Sequence, residues 1–108
     1  MKNVQGGTVK PFNLRFCTEN GKTLTKIPVS KRNALEAIVF SNDSKRTLTI
    51  ELDKEALLDE KKNLVKQFKV GANESRNFKI ILAGGASFKY SATIEGAETD
   101  DPIIILED

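Results

Sequence analysis

The sequence has no histidine and no tryptophan among its 108 residues, and only one cysteine. Without imidazole, Ser-His and Cys-His nucleophile pairs, histidine-based zinc sites and haem ligation through histidine are all excluded. One cysteine cannot close an internal disulfide, so the fold has to rest on its core. Cys17 lies on a strand-like apolar run and is expected to be a small buried hydrophobe rather than a nucleophile. The roughly 20 consecutive apolar residues of a membrane-spanning helix are also missing, because Lys, Glu or Asp interrupts every such window. Met1 to Gly7 carries one positive charge with no apolar region behind it, so no signal peptide is visible. The compartment stays open, periplasmic or extracellular if a leader has been removed.

What is present is the composition of a folding chain. With 39% hydrophobic and 30% charged residues it is too apolar for a disordered polyelectrolyte. Its length suits one core, so a single domain over residues 1–108 is expected, with 1–8 as a flexible lead-in. The net charge of +2 is unevenly spread, with nine Lys/Arg against three Asp/Glu in residues 1–50 and eight against twelve in residues 51–108. In a sandwich the halves interleave and neutralise one another, so nucleic acid is not an expected partner.

Hydrophobic alternation of period two dominates. Phe12, Leu14 and Phe16 alternate with Asn13, Arg15 and Cys17. Glu19-Asn20-Gly21-Lys22 then offers the Asn-Gly pair that a type I′ hairpin turn favours, leading into a run from Thr23 to Val29. Pro28 in that run points to an edge strand or a break. Leu35 to Phe40 and Thr47 to Leu52 read as further strands, the latter with Leu48, Ile50 and Leu52 inward. From Asp53 as cap, Lys54 to Asn63 has good helix formers and reads as one short helix. Lys66 to Val70 returns to extended structure, and Asn77 to Leu82 followed by Phe88 to Ile94 reads as a second hairpin across Ala83-Gly84-Gly85-Ala86. The continuous apolar run Ile103 to Leu106 suggests burial on both faces. Short strands with turn signals about every ten residues predict an all-β protein, a Greek-key antiparallel β-sandwich with that one helix.

Candidate sites are few. Glu98, Asp100 and Asp101, with Glu95, form an acidic loop whose oxygens suit a calcium-type cation, though without the ligand spacing of an EF-hand. Lys45 and Arg46 share a turn expected at one end of the sandwich and form the candidate centre of a polyanion-binding or recognition surface. Gly6-Gly7 and Gly84-Gly85 match no phosphate-binding loop. The six phenylalanines and Tyr90 fall at core positions, which leaves no aromatic platform for bases or sugars.

Several segments together resemble the cupredoxin superfamily: Ile27-Pro28-Val29, Val39-Phe40-Ser41-Asn42, Lys69-Val70-Gly71, and Phe88-Lys89-Tyr90-Ser91-Ala92 before an Ile-rich final strand. The likeness covers about residues 10 to 107 and implies a cupredoxin-like sandwich. An immunoglobulin-like sandwich gives a similar pattern, but the Cys-Trp-Cys spacing of antibody-type domains is absent. In the superfamily's copper-binding members a histidine follows the Asn-containing turn and a Cys-His-Met group surrounds the last loop. Here Asn42 to Leu48 contains no histidine and Ala92 stands about where the thiolate belongs. The resemblance therefore implies a member without copper ligands and no cofactor. The functional expectation is a non-enzymatic binding or interaction module, most simply for a protein of unspecified identity, with calcium-type binding and polyanion binding as alternatives. Blue copper needs two imidazoles and a thiolate. Protein loaded with copper and desalted should therefore keep no stoichiometric metal and show no intense visible band, as metal analysis and absorption spectra would check.

Overall fold

The computed structural model describes residues 12–27, 31–33 and 37–107. The lead-in expected over 1–8 and Pro28 lie outside them. The strands in chain order are β1 (Phe12–Glu19), β2 (Lys22–Ile27), β3 (Lys31–Asn33), β4 (Ala37–Asn42), β5 (Leu48–Leu52), β6 (Leu57–Leu58), β7 (Leu64–Val65), β8 (Gln67–Val70), β9 (Ser75–Ile80), β10 (Ser87–Ile94) and β11 (Ile103–Glu107). They form two sheets, ordered β2-β1-β4-β9-β6-β7 and β3-β11-β10-β5-β8. Most pairs are antiparallel, as expected, but β1 runs parallel to β4 and β3 parallel to β11. Among the described residues no helix is long and apolar enough to cross a membrane.

The β1–β2 hairpin forms where the Asn-Gly pair places it. Asn20 and Gly21 both have positive φ, 53° and 76°, the combination of a type I′ turn, and Glu19 pairs with Lys22 across it. β2 is an edge strand, one of the two outcomes expected from a proline in the Thr23 to Val29 run.

Two expectations are corrected. The helix over Lys54 to Asn63 is replaced by a short hairpin. Leu57 and Leu58 pair antiparallel with Val65 and Leu64 on one side and with Ile80 and Lys79 on the other, and Leu57 enters the core. Asp59 caps the loop, its Oδ1 accepting the main-chain N–H groups of Lys61 at 2.8 Å and Asn63 at 2.9 Å, while Lys62 takes a φ of 65°. Asp53 caps no helix, because its Oδ1 accepts the Lys89 N–H at 3.0 Å and ties the chain to β10. The second hairpin is also absent. β9 pairs with β4 and β6 in one sheet and β10 with β5 and β11 in the other, so Ala83 to Ala86 carries the chain across the sandwich. Alternation fixes which face of a strand is buried but not which strand lies beside it.

Between the sheets lies one core, in which Leu14, Phe16, Ile38, Phe40, Phe78 and Ile80 face Leu48, Ile50, Phe68, Val70, Tyr90 and Ile94. Phe40 is its aromatic centre: it stacks on Phe16 at 6.0 Å and meets Phe68, Phe78 and Tyr90 edge-on at 5.0, 5.6 and 5.8 Å. Such pairs contribute about 0.5–1.5 kcal/mol each beyond area burial. Leu48, Ile50, Phe78, Ile80 and Tyr90 are buried, as their alternation predicts, and so is Ile104 of the continuous final run; Cys17, expected buried, is only half-buried because it shares the outward side of β1 with Arg15. Ile50 is fully buried at the centre of β5. Ile50→Ala should therefore lower the unfolding free energy by about 2–5 kcal/mol in a denaturant titration, and a loss below about 0.5 kcal/mol would place it outside the core.

Candidate functional site

The polar centre of the molecule is at the end of the sandwich where β4 leaves the core. Two residues beyond Phe40 the chain reaches Asn42, which is 1% exposed. Its Nδ2 lies 2.6 Å from the Arg46 carbonyl and 3.1 Å from those of Val70 and Gly71. An amide has two N–H bonds, so one of them is shared between acceptors. Its Oδ1 accepts the Ser44 N–H at 2.9 Å and the Ser44 hydroxyl at 2.7 Å, the pattern of an Asx turn. Main-chain bonds complete the joint: the Asn42 N–H donates to Glu74, the Asn73 N–H to Ser44, and the Asp43 N–H to Phe16. Asp43 also receives a two-pronged contact from Arg15, Nε to Oδ2 at 3.0 Å and Nη2 to Oδ1 at 2.7 Å. A buried amide with every polar atom paired is a strong local constraint, since an orphaned buried donor or acceptor costs about 1–3 kcal/mol.

This network holds up the turn that carries Lys45 and Arg46. Both side chains are exposed, while the Arg46 main chain is clamped by Asn42 and by the Ser44 hydroxyl, which accepts the Arg46 N–H at 3.2 Å and shares its one proton between Asn42 Oδ1 and the Arg46 carbonyl. The Arg46 guanidinium lies against Gly96, where a Cβ would sit 2.6 Å from its Nη1 and where φ is 81°. The positive φ is what favours glycine there, since the Arg46 guanidinium ends a flexible side chain that can move aside.

Among the described residues the acidic candidates form no cluster of three that could hold a metal ion. Glu98 runs beside β2, its main chain paired with Gly21 and Thr23. Asp100 accepts the Thr25 hydroxyl at 2.7 Å, and Asp101 accepts that of Ser91 at 2.6 Å. Glu98 and Asp100 border a cleft of about 470 Å³ with Glu19, Lys22 and the exposed Leu24, whereas Asp101 opens on another of about 320 Å³ beside Glu51, Asp53 and Lys89. Successive residues of extended chain point to opposite sides, which separates Asp100 from Asp101.

Three titratable groups are displaced from their ordinary values: Tyr90, Glu60 and Arg76, the last raised first by its hydrogen bond to Glu60. Burial pushes the Tyr90 phenol up, with its hydrogen bond to Thr25 acting the other way and the nearby Asp100 charge adding to the rise. The Arg76 guanidinium, hydrogen-bonded to both Glu60 oxygens at 3.3 and 2.8 Å, holds that carboxyl down to about 2. Arg76 also covers the rings of Phe68 and Phe78, 5.7 and 5.1 Å from their centroids.

No protein-family model and no curated protein matches the sequence. Solved structures do. Lac15 from a marine microbial metagenome superposes with a TM-score of 0.61 at 14% identity, over 97% of this chain and 28% of that one. A reduced Cu(I) form of an amicyanin mutant gives 0.55 at 10% identity, over 96% of this chain and 86% of its own. The multicopper oxidase McoA from Aquifex aeolicus gives 0.59 at 4% identity, over 96% and 31%. The fold is cupredoxin-like. This cupredoxin-like chain spans under a third of Lac15 and McoA but most of the amicyanin. Its residues do not fit a blue-copper group, which takes two imidazoles and a thiolate: the chain has no histidine, Ala92 is buried mid-strand in β10, and Cys17 lies on the outward side of β1.

Sequence reasoning placed Asn42 in a turn and missed its burial. The signal was the polar triplet Asn42-Asp43-Ser44 directly after an apolar strand, which is Asx-turn chemistry. The lowered Glu60 pKa has a stability consequence. A depressed folded value stabilises the fold above the ordinary 4.5, and that contribution is lost as pH falls from there towards about 2. NMR titration should find Glu60 titrating near 2 in the wild type and returning towards 4.5 in Arg76→Gln, with a shallower acid limb in that variant's stability curve.

Proposed function

We propose that this domain is a non-enzymatic interaction module, a cupredoxin-like sandwich without copper that meets a protein partner through the end carrying Lys45 and Arg46. The observation that carries the reading is the clamped turn: the Asn42 and Ser44 network fixes the main chain while leaving two cationic side chains exposed. A surface held in place before binding loses little entropy on association, which favours recognition. Two exposed cations suit an acidic patch on the partner and speed its encounter. A histidine-free composition supports the non-enzymatic part of the reading, since the commonest acid–base and nucleophile-activating side chain is missing.

The test is a Lys45→Glu, Arg46→Glu double variant, with unchanged melting as the check on its fold. Crosslinking in a lysate of the source organism, followed by direct titration of the purified partner, should show binding by the wild type and at least about tenfold weaker binding by the double variant. Equal binding by both would remove this end of the sandwich from the reading. Wild-type retention on heparin well above physiological salt, lost in the double variant, would identify the ligand as a polyanion instead.

A further inference from the structure

The tip of the β1–β2 hairpin has a chemistry of its own. Asn20-Gly21 is the one Asn-Gly pair in the sequence, and both residues are exposed. Gly21 has no Cβ to crowd its own main-chain nitrogen, and the space a Cβ would occupy is open, with nothing within 4 Å. Among the described residues no hydrogen bond holds the Asn20 side chain, in contrast to Asn42, whose amide is tied on both ends. Asparagine is a thermolabile residue, and its lability is greatest where the next nitrogen is unhindered.

The same turn is also a latch. The Gly21 carbonyl accepts the Glu98 N–H at 2.9 Å and the Thr23 N–H donates to the Glu98 carbonyl at 2.8 Å, so the segment between β10 and β11 lies along the outer edge of β2. Further along, the Thr23 hydroxyl accepts the Ile94 N–H at 2.9 Å, and Thr25 donates to Asp100.

We propose that Asn20 is a site of spontaneous deamidation and that its isoaspartate product releases the Glu98 segment from β2. The Gly21 main-chain nitrogen attacks Asn20 Cγ; the new C–N bond closes a five-membered imide, and the Cγ–Nδ2 bond breaks. The leaving nitrogen takes up the proton lost by the Gly21 amide and departs as ammonia. Water then opens the ring at either carbonyl. Opening at Cγ leaves aspartate, and opening at the Asn20 main-chain carbon leaves isoaspartate, with the chain now running through Cβ and Cγ. That product lengthens the main chain of a two-residue turn by one atom, so Glu19 and Lys22 cannot keep their register and the Gly21 carbonyl leaves the Glu98 N–H.

Folded protein incubated at mildly alkaline pH, then analysed by peptide mapping and isoaspartate-specific methylation, tests both halves. The Asn20 peptide should convert well ahead of those with Asn63 and Asn73, which precede Leu64 and Glu74. Amide exchange at Thr23 and Glu98 should be about tenfold or more faster in the isoaspartate form than in unmodified protein. Asn20→Asp adds the charge without the extra atom and should keep both amides protected. Conversion at Asn20 no faster than at the other two overturns the site. An isoaspartate form with unchanged exchange, or an Asn20→Asp variant that loses protection to the same degree, overturns the latch.

Discussion

The whole arrangement depends on the position of one ring. Phe40 sits at the middle of β4, touches aromatic residues from both sheets, and is fully buried. A planar ring with four aromatic neighbours admits few rotamers, so it fixes the spacing and rotation of the sheets as well as filling volume. It also sets where β4 ends. With Phe40 locked inward, Asn42 two residues on must point inward too, and a buried amide at a sandwich end has to find partners on the chains that happen to be there. The turn bearing Lys45 and Arg46 is therefore a downstream consequence of core packing.

Electrostatics plays a smaller part than the composition suggests. The basic first half and acidic second half were expected to neutralise one another across the sandwich. The two described ion pairs instead lie within the halves, Arg15 with Asp43 and Arg76 with Glu60. All four side chains are between a quarter and a little under half exposed, a range in which a pair contributes about 0–1 kcal/mol. Across the halves the described side-chain hydrogen bonds run between uncharged groups or from a hydroxyl to a carboxylate, among them Asn42 to Val70 and Gly71, Thr25 to Asp100 and Ile94 to Thr23. The Thr25 and Thr23 bonds, at 2.7 and 2.9 Å, join β2 to the other side of the sandwich.

Much of the fold was legible because its strands bury one face, and burial of one face writes itself into sequence as alternation. The Asn20-Gly21 turn was legible because only a few residue pairs tolerate two successive positive φ angles. Residues 53–63 were misread because Lys, Glu, Ala and Leu favour helix locally, yet pairing of β6 with β9 and the Asp59 cap override a preference worth only a fraction of a kcal/mol per residue. The crossing at Ala83 to Ala86 was not legible, since a hairpin turn and a sheet-to-sheet turn use the same small residues. At the candidate site, the exposure of Lys45 and Arg46 could be read from their type, but the clamp beneath them depends on carbonyls of Val70 and Gly71, distant in sequence.

Asn42 also sets the terms on which this end of the protein can vary. Its amide donates to three carbonyls and accepts from two groups of Ser44. Aspartate would turn the donors into acceptors facing carbonyl oxygens, and an aliphatic side chain would remove every one of these bonds, leaving Ser44 and Arg46 only each other. Position 42 therefore leaves almost no latitude. Positions 45 and 46 contribute to the clamp only through the Arg46 main chain, which any residue but proline supplies. One frozen side chain thus allows its neighbours to diverge freely, so across relatives the binding preference of this end should drift while its backbone stays still.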